Sequence, residues 1–255
     1  MEPPDFKRTK MSRNGATAVL ALASDKVNAL DREVLNEISA FVEFCEQDSQ
    51  VGALVVTGEG SVFSAGLNVT EVLSNEPSYT DLLLDALNGA LIRLFRCPKP
   101  TVAAINGAAI AGGCLLACAC DKRLIAEEAR IGVTELRVGV SFPIVAIELL
   151  KHVCGHLAEQ LIFDAGLLDA EEACRVGLAH RRFPRSELQA SAMSAAEQLA
   201  SLDARAYSLA KASTRLDALS AMEHGDGRLF DQRVRDHWKD DQTRASLEQL
   251  LKPKS

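Results

Sequence analysis

The sequence predicts an α/β core followed by an all-helical C-terminal segment. Three observations carry that prediction. Short apolar runs bounded by turn residues alternate with helical-period segments through the first two thirds of the chain. Small-residue turns join some of these runs to the next element, as at Ala65-Gly66 and Ala111-Gly112-Gly113. After Phe183-Pro184 the composition shifts to Ala, Leu, Glu, Gln, Lys and Arg, with no strand pattern. Residues 1–185 are therefore expected to form the core and 186–255 the helical segment.

In chain order, Thr17 to Ala23 (TAVLALA) reads as a strand and Lys26 to Leu30 as a connecting turn. Asp31 is placed to cap a helix, because Val34, Leu35, Ile38, Phe41, Val42 and Cys45 follow at helical spacing. Ala53 to Thr57 is a buried strand ended by Gly58-Glu59-Gly60, and Val62 to Leu67 begins another extended piece. Asn75 to Ser78 is a loop. A helix over Tyr79–Phe95 stops where Pro98 and Pro100 forbid its continuation. Thr101 to Ile105 is β-branched and apolar, hence strand. Asn106-Gly107 turns it, Ala108 to Gly113 is nearly all small, and Cys114 to Cys120 is helical. Lys122 to Ala126 is a strand. Helices follow from Pro143 at a first helical position, over 156–165, and over 170–176 ending at Gly177. In the tail, Phe230, Val234 and Trp238 recur at i, i+4 and i+8, marking a packing face for a subunit contact or a lid.

Composition excludes several functions. With a hydrophobic fraction of 47% and a charged fraction of 25%, the chain is neither disordered nor low-complexity. A net charge of −7 disfavours nucleic acid as a partner. No apolar run reaches membrane-spanning length, so no membrane partner is expected. Seven scattered cysteines indicate reduced thiols, and early acids in Met1–Asp5 argue against a transit peptide; a cytoplasmic location is expected. Cys114, Cys118 and Cys120 crowd one helix, but no second ligand cluster accompanies them, so no metal is expected. No Gly-x-Ser-x-Gly elbow is present for a serine nucleophile.

Two features point to chemistry. The turn Ala111-Gly112-Gly113 opens a helix and leaves backbone N–H groups bare, which makes Gly112 a candidate donor to a developing anion. Glu135 is a single carboxylate among Ile131, Val133, Leu136 and Val138; by itself it reads as a solvated loop charge, as half of an ion pair with Arg130 or Arg137, or as a general base whose proton affinity an apolar pocket raises.

At VFSAGLN (62–68), INGAAIAGGCLLACACD (105–121) and GVTELRVGV (132–140) the chain resembles the crotonase superfamily of enoyl-CoA hydratases and isomerases. The similarity runs from Val27 to beyond Pro184. It implies a spiral of ββα turns followed by helices that trimerise or cover the site, and a homotrimer or dimer of trimers. It implies an acyl-CoA thioester as substrate, with coenzyme A part of that substrate and no separate cofactor. The oxyanion hole carries over to the N–H groups of Leu67 and Gly112, with Ala111 standing where the family's run has its first glycine. CoA contacts carry over to Lys26, Val27, Asn28, Ala65, Gly66, Asn68 and Val69, with Lys26 near a phosphate.

Hydratases of this superfamily have two glutamates. Here the first place is Leu115 and the second Glu135. Adding water needs a base for the water and an acid for the carbon, whereas moving a double bond needs one carboxylate that takes and returns a proton. Gly-Val-Thr-Glu and Thr70 resemble the Δ3,Δ2-enoyl-CoA isomerase branch, which usually has Asp where this chain has Asn68. The expected activity is thus an enoyl-CoA isomerase of the fatty-acid β-oxidation type with Glu135 catalytic. Two alternatives stay open: another acyl-CoA lyase or hydratase of the same fold, and a non-catalytic acyl-CoA-binding oligomer.

Overall fold

The computed structural model describes residues 4–224 and 226–252. The elements run β1 (Thr9–Asn14), β2 (Thr17–Leu22), α1 (Arg32–Gln47), β3 (Ala53–Gly58), β4 (Val62–Ser64), α2 (Val69–Ser74), α3 (Tyr79–Arg96) and β5 (Thr101–Ile105). Then come β6 (Ala108–Ile110), α4 (Gly112–Cys118), β7 (Lys122–Ala126), β8 (Arg130–Gly132), a 3₁₀ turn at Glu135–Val138, α5 (Ile144–Cys154) and α6 (Ala158–Asp164). The chain continues through β9 (Leu168–Asp169), α7 (Ala170–Arg175), β10 (Arg181–Phe183), α8 (Arg185–Ala200), α9 (Ala204–Glu223), α10 (Asp226–Lys239) and α11 (Asp241–Leu251).

Two sheets form the α/β core. The larger has the order β1-β2-β3-β5-β7-β10, parallel except for the β1–β2 hairpin. The smaller has the order β4-β6-β8-β9. Each passage from a long strand through a short one to a helix is one turn of a spiral, so the short strands stack beside the long ones. β3, β5 and β7 are buried almost throughout, which explains why they read as continuous apolar runs rather than alternating ones. α8 packs across the larger sheet, and α9, α10 and α11 fold back over α5, α3 and α2. Among the described residues no helix is long and apolar enough to cross a membrane.

The structure corrects some elements. β1 carries mostly exposed polar residues because it is an edge strand, and its sequence therefore lacks the apolar signal of β2. Asn68 ends the extended piece by capping α2, its Oδ1 accepting from the Glu71 N–H at 3.2 Å. The small-residue stretch after Gly107 holds strand β6, and α4 starts at Gly112, two residues before the expected Cys114. Glycines carry no side-chain pattern, yet only glycine fits at 113, where a Cβ would lie 2.3 Å from the Ser64 carbonyl oxygen. Pro143 caps α5 rather than occupying its first turn.

Candidate active site

The first wall of the site is the segment Ala65 to Val69. Residues 27–30 run beside it: Ala65 N–H donates to Val27 O at 2.9 Å, Leu30 N–H to Gly66 O at 2.8 Å, and Asn68 N–H to Leu30 O at 3.0 Å. Leu30 and Leu67 thus form a parallel bridge. In such a bridge Leu30 bonds to the residues flanking Leu67, so the N–H of Leu67 itself points to the other side. Ser64 fixes the turn, its hydroxyl donating to Asn28 O at 2.7 Å and accepting from Gly66 N–H at 3.2 Å.

The second wall is the turn into α4. Ala111 N–H donates to Gly132 O at 2.9 Å, which leaves Gly112 as the first residue of the helix with no carbonyl behind it. Among the described residues neither the Leu67 N–H nor the Gly112 N–H donates to another protein group. The two turns touch: a Cβ built on Gly112 would lie 3.6 Å from Leu67 N, in ordinary contact. Ala111 holds this geometry at φ 53, ψ −120, a conformation that L residues rarely adopt and that costs ~1–3 kcal/mol.

The third wall carries Glu135. β8 delivers the chain to Val133 and Thr134, and the 3₁₀ turn is closed by Gly139 at φ 70. The Glu135 carbonyl accepts from Val140 N–H at 3.0 Å, which fixes the backbone from which its side chain projects. Oε2 of Glu135 is buried without a hydrogen-bond partner. Burial pushes the carboxyl up to about 7, opposed only by the N–H groups of Glu135 and Thr134. Among the described residues the nearby Arg137 makes no ion pair with Glu135, and its Nη2 donates to Asp164 O at 3.5 Å.

Ala65, Leu67, Val69, Gly112, Leu115 and Glu135 line one cavity of about 480 Å³. Glu135 is its only ionisable lining residue among the described residues. The other sequence candidates stand around it rather than on it. Gly66 lies behind the wall, against Ile110 and Ala111, and Asn68 is engaged as the α2 cap. Asn28 is fully buried, its Nδ2 donating to Glu59 O at 3.1 Å and Val62 O at 2.8 Å, so it braces the loop. Lys26 and Val27 are exposed on that loop. No cluster of His, Cys, Asp and Glu able to hold a metal is found among the described residues.

Sequence reasoning missed Leu87, Phe142, Leu247 and Leu250, which also line the cavity, together with Trp238. The i, i+4, i+8 pattern at Phe230, Val234 and Trp238 was the available signal, and the structure splits it. Val234 and Trp238 are buried, whereas Phe230 is 45% exposed.

Comparison with known proteins agrees with this geometry. The enoyl-CoA hydratase/isomerase family profile matches residues 12–250. Human mitochondrial enoyl-CoA delta isomerase 1 is 34% identical over 202 residues, covering 78% of this chain and 67% of that protein. A putative enoyl-CoA hydratase of Thermus thermophilus is 37% identical over 193 residues, covering 73% and 75%. The crystal structure of human mitochondrial Δ3-Δ2-enoyl-CoA isomerase superposes with a TM-score of 0.91 at 30% identity, covering 96% of this chain and 97% of that one. A profile match over nearly the whole length, on a fold that brings the three motifs to one cavity, makes this chain a member of the enoyl-CoA hydratase/isomerase family.

Proposed function

We propose that the protein is an enoyl-CoA isomerase that shifts the double bond of a 3-enoyl-CoA to the 2 position. The observation that carries the reading is a cavity with one carboxylate, Glu135, and with Leu115 on its wall where a second would stand in a hydratase. The thioester oxygen lies between the N–H groups of Leu67 and Gly112, which stabilise the negative charge as it develops there. Glu135 removes a proton from C2, giving a dienolate, and returns it to C4. A carboxylate with a proton affinity near neutrality is matched to a weak carbon acid, and its unpaired Oε2 is free to reach the substrate.

Water addition lacks its second acid–base group, because Leu115 is apolar and 2% exposed. The isomerase named among the relatives favours the same reading, although relatives named as hydratases are of similar identity. Lys26, on the loop beside the first wall, is assigned to a phosphate of CoA. The assembly assigned is a homotrimer or dimer of trimers, in keeping with the exposed leucines Leu209 and Leu216, two turns apart on one face of α9.

The test is incubation of the protein with 3-enoyl-CoA and, separately, with 2-enoyl-CoA in water. Isomerisation that Glu135→Gln abolishes supports the proposal. Hydration as the faster reaction, or isomerisation surviving that substitution, overturns it. Tight acyl-CoA binding without turnover of either substrate assigns a binding role instead.

A further inference from the structure

Ser141 is half-buried and lines the same cavity as Glu135. The Val140 N–H donates to the Glu135 carbonyl at 3.0 Å, so Ser141 follows directly on the residue bonded to the Glu135 backbone. α10 grips Ser141 at both of its oxygens. Trp238 Nε1–H donates to Ser141 O at 2.9 Å, and Ser141 Oγ is hydrogen-bonded to His237 Nδ1 at 3.0 Å. Arg235 pairs with Asp85 at 2.6 Å and Lys239 with Asp81 at 3.1 Å, which ties this stretch of α10 to α3.

The network beyond His237 sets which ring nitrogen carries the proton. Asp240 caps α11, its Oδ1 accepting from the Thr243 N–H at 2.7 Å, and its Oδ2 accepts from the Thr243 hydroxyl at 3.3 Å. That hydroxyl has a single proton, which the carboxylate takes up, so toward His237 Nε2 at 3.4 Å it is the acceptor. Nε2 is then the protonated nitrogen of the neutral ring. Nδ1 is left as a base, and it faces the Ser141 hydroxyl. A hydroxyl in hydrogen-bond reach of a base that a third group orients is the arrangement of an activated nucleophile. The isomerisation proposed above leaves it unused, since one carboxylate takes and returns the proton.

We propose that Ser141 and His237 give this cavity a second activity, the hydrolysis of acyl-CoA thioesters. The inference rests on the acyl-CoA reading of the cavity and goes beyond the isomerase. Ser141 Oγ attacks the thioester carbonyl carbon while its proton passes to His237 Nδ1. The negative charge on the carbonyl oxygen is held by the N–H groups of Leu67 and Gly112. The C–S bond breaks, and the CoA sulfur leaves with the proton from His237. Water then attacks the acyl-serine ester and gives a proton to Nδ1, and the serine oxygen leaves with that proton. The sum is acyl-CoA and water converted to a carboxylic acid and free CoA, with Ser141 and His237 restored.

The experiment incubates the full chain with a saturated straight-chain acyl-CoA, which has no double bond to move, and follows free CoA by chromatography. Wild type is expected to release CoA faster than buffer alone, and acid-quenched samples to carry an acyl group on the peptide that contains Ser141. Ser141→Ala is expected to abolish release, and His237→Gln to lower it about 10²-fold. His237 is exposed, so its substitution decides the matter even should Ser141→Ala fail to fold. Thr243→Val keeps the side chain's shape and loses the hydroxyl; it is expected to slow release, and Thr243→Ser to restore it, a rescue that a packing role would not give. No release by wild type, undiminished release by folded His237→Gln, or an acyl group on a cysteine in place of Ser141 overturns the proposal. The isomerase reading is scored separately. A protein that shifts 3-enoyl-CoA yet frees no CoA keeps that reading and loses this one, and release from saturated acyl-CoA without any shift does the reverse.

Discussion

A methyl group on Gly66 would lie 3.1 Å from the backbone nitrogen of Gly112, and 2.9 Å from the Ile110 carbonyl oxygen. The two turns that present the unpaired N–H groups are therefore pressed together through a position that has no side chain, and Gly66 also sits at φ +90. Gly66→Ala is expected to force the turns apart and misplace both donors. Its kcat/KM should fall about 10²–10³-fold in a folded protein. Steady-state kinetics alongside circular dichroism checks this, and near-wild-type turnover would contradict the role of the paired turns.

Ala111 carries the strain of the same turn. At φ 53, ψ −120 a glycine is unstrained, so Ala111→Gly removes the penalty and loses part of the gain to the freer unfolded chain. A net stabilisation of about 1 kcal/mol is expected, or a rise in Tm of ~2–4 °C. Thermal melting of the two proteins in one buffer measures it.

Glu135 sets a pH dependence of two kinds. In its proposed role as base it must be ionised, so kcat/KM is expected to rise with pH through about 7 and level off above. Stability runs the other way. The folded carboxyl titrates above its ordinary value of 4.5, so the native state holds the proton more tightly than the unfolded chain. That stability is fully present below the ordinary value and is lost as pH rises through about 7. Glu135→Gln is therefore expected to be inactive, yet more stable than wild type by about 1–3 kcal/mol at alkaline pH. The difference should vanish only below the ordinary value of 4.5. Denaturant titrations at the two pH extremes give the answer.

Asp121 tethers the helical segment to the core. Its carboxylate accepts from Thr101 N–H at 2.7 Å and from Tyr207 Oη–H at 2.9 Å, and pairs with Lys211 at 2.8 Å and Arg215 at 2.6 Å. Lys211 and Arg215 are both buried on α9, and Arg215 also stacks over Phe95 at 4.0 Å. Asp121→Asn leaves two buried cations without their counter-charge, at an expected cost of about 3–5 kcal/mol. Chemical denaturation followed by far-UV circular dichroism, with early loss of α9, is the readout.

Much of the core was legible because its signals are local. The strands at 53–58, 101–105 and 122–126 announce themselves by apolar β-branched runs, and the helix at 79–96 by its period and by the prolines after it. Asp31 could be read as a cap because capping involves only the next turn, and its Oδ1 does accept from Val34 N–H at 2.8 Å. Gly112 and Glu135 were readable as candidates from their surroundings in the chain.

What depends on distance in the sequence was not legible. β1 is a strand only because β2 lies beside it, and Gly113 is required only because Ser64 packs against it. The cavity draws Leu87, Leu115 and Trp238 from three helices and Phe142 from the loop before α5, and nothing local to any one of them marks it as a wall.

The amino-acid order by itself determined the α/β character of the core, the two small-residue turns and the solitary carboxylate, because each is written in neighbouring residues. Only the tertiary structure decided that these three features face one cavity and that α10 and α11 cover it. That arrangement is held by contacts such as Trp238 to Ser141, 97 positions apart, and a local pattern contains no information about which distant partner a side chain will meet.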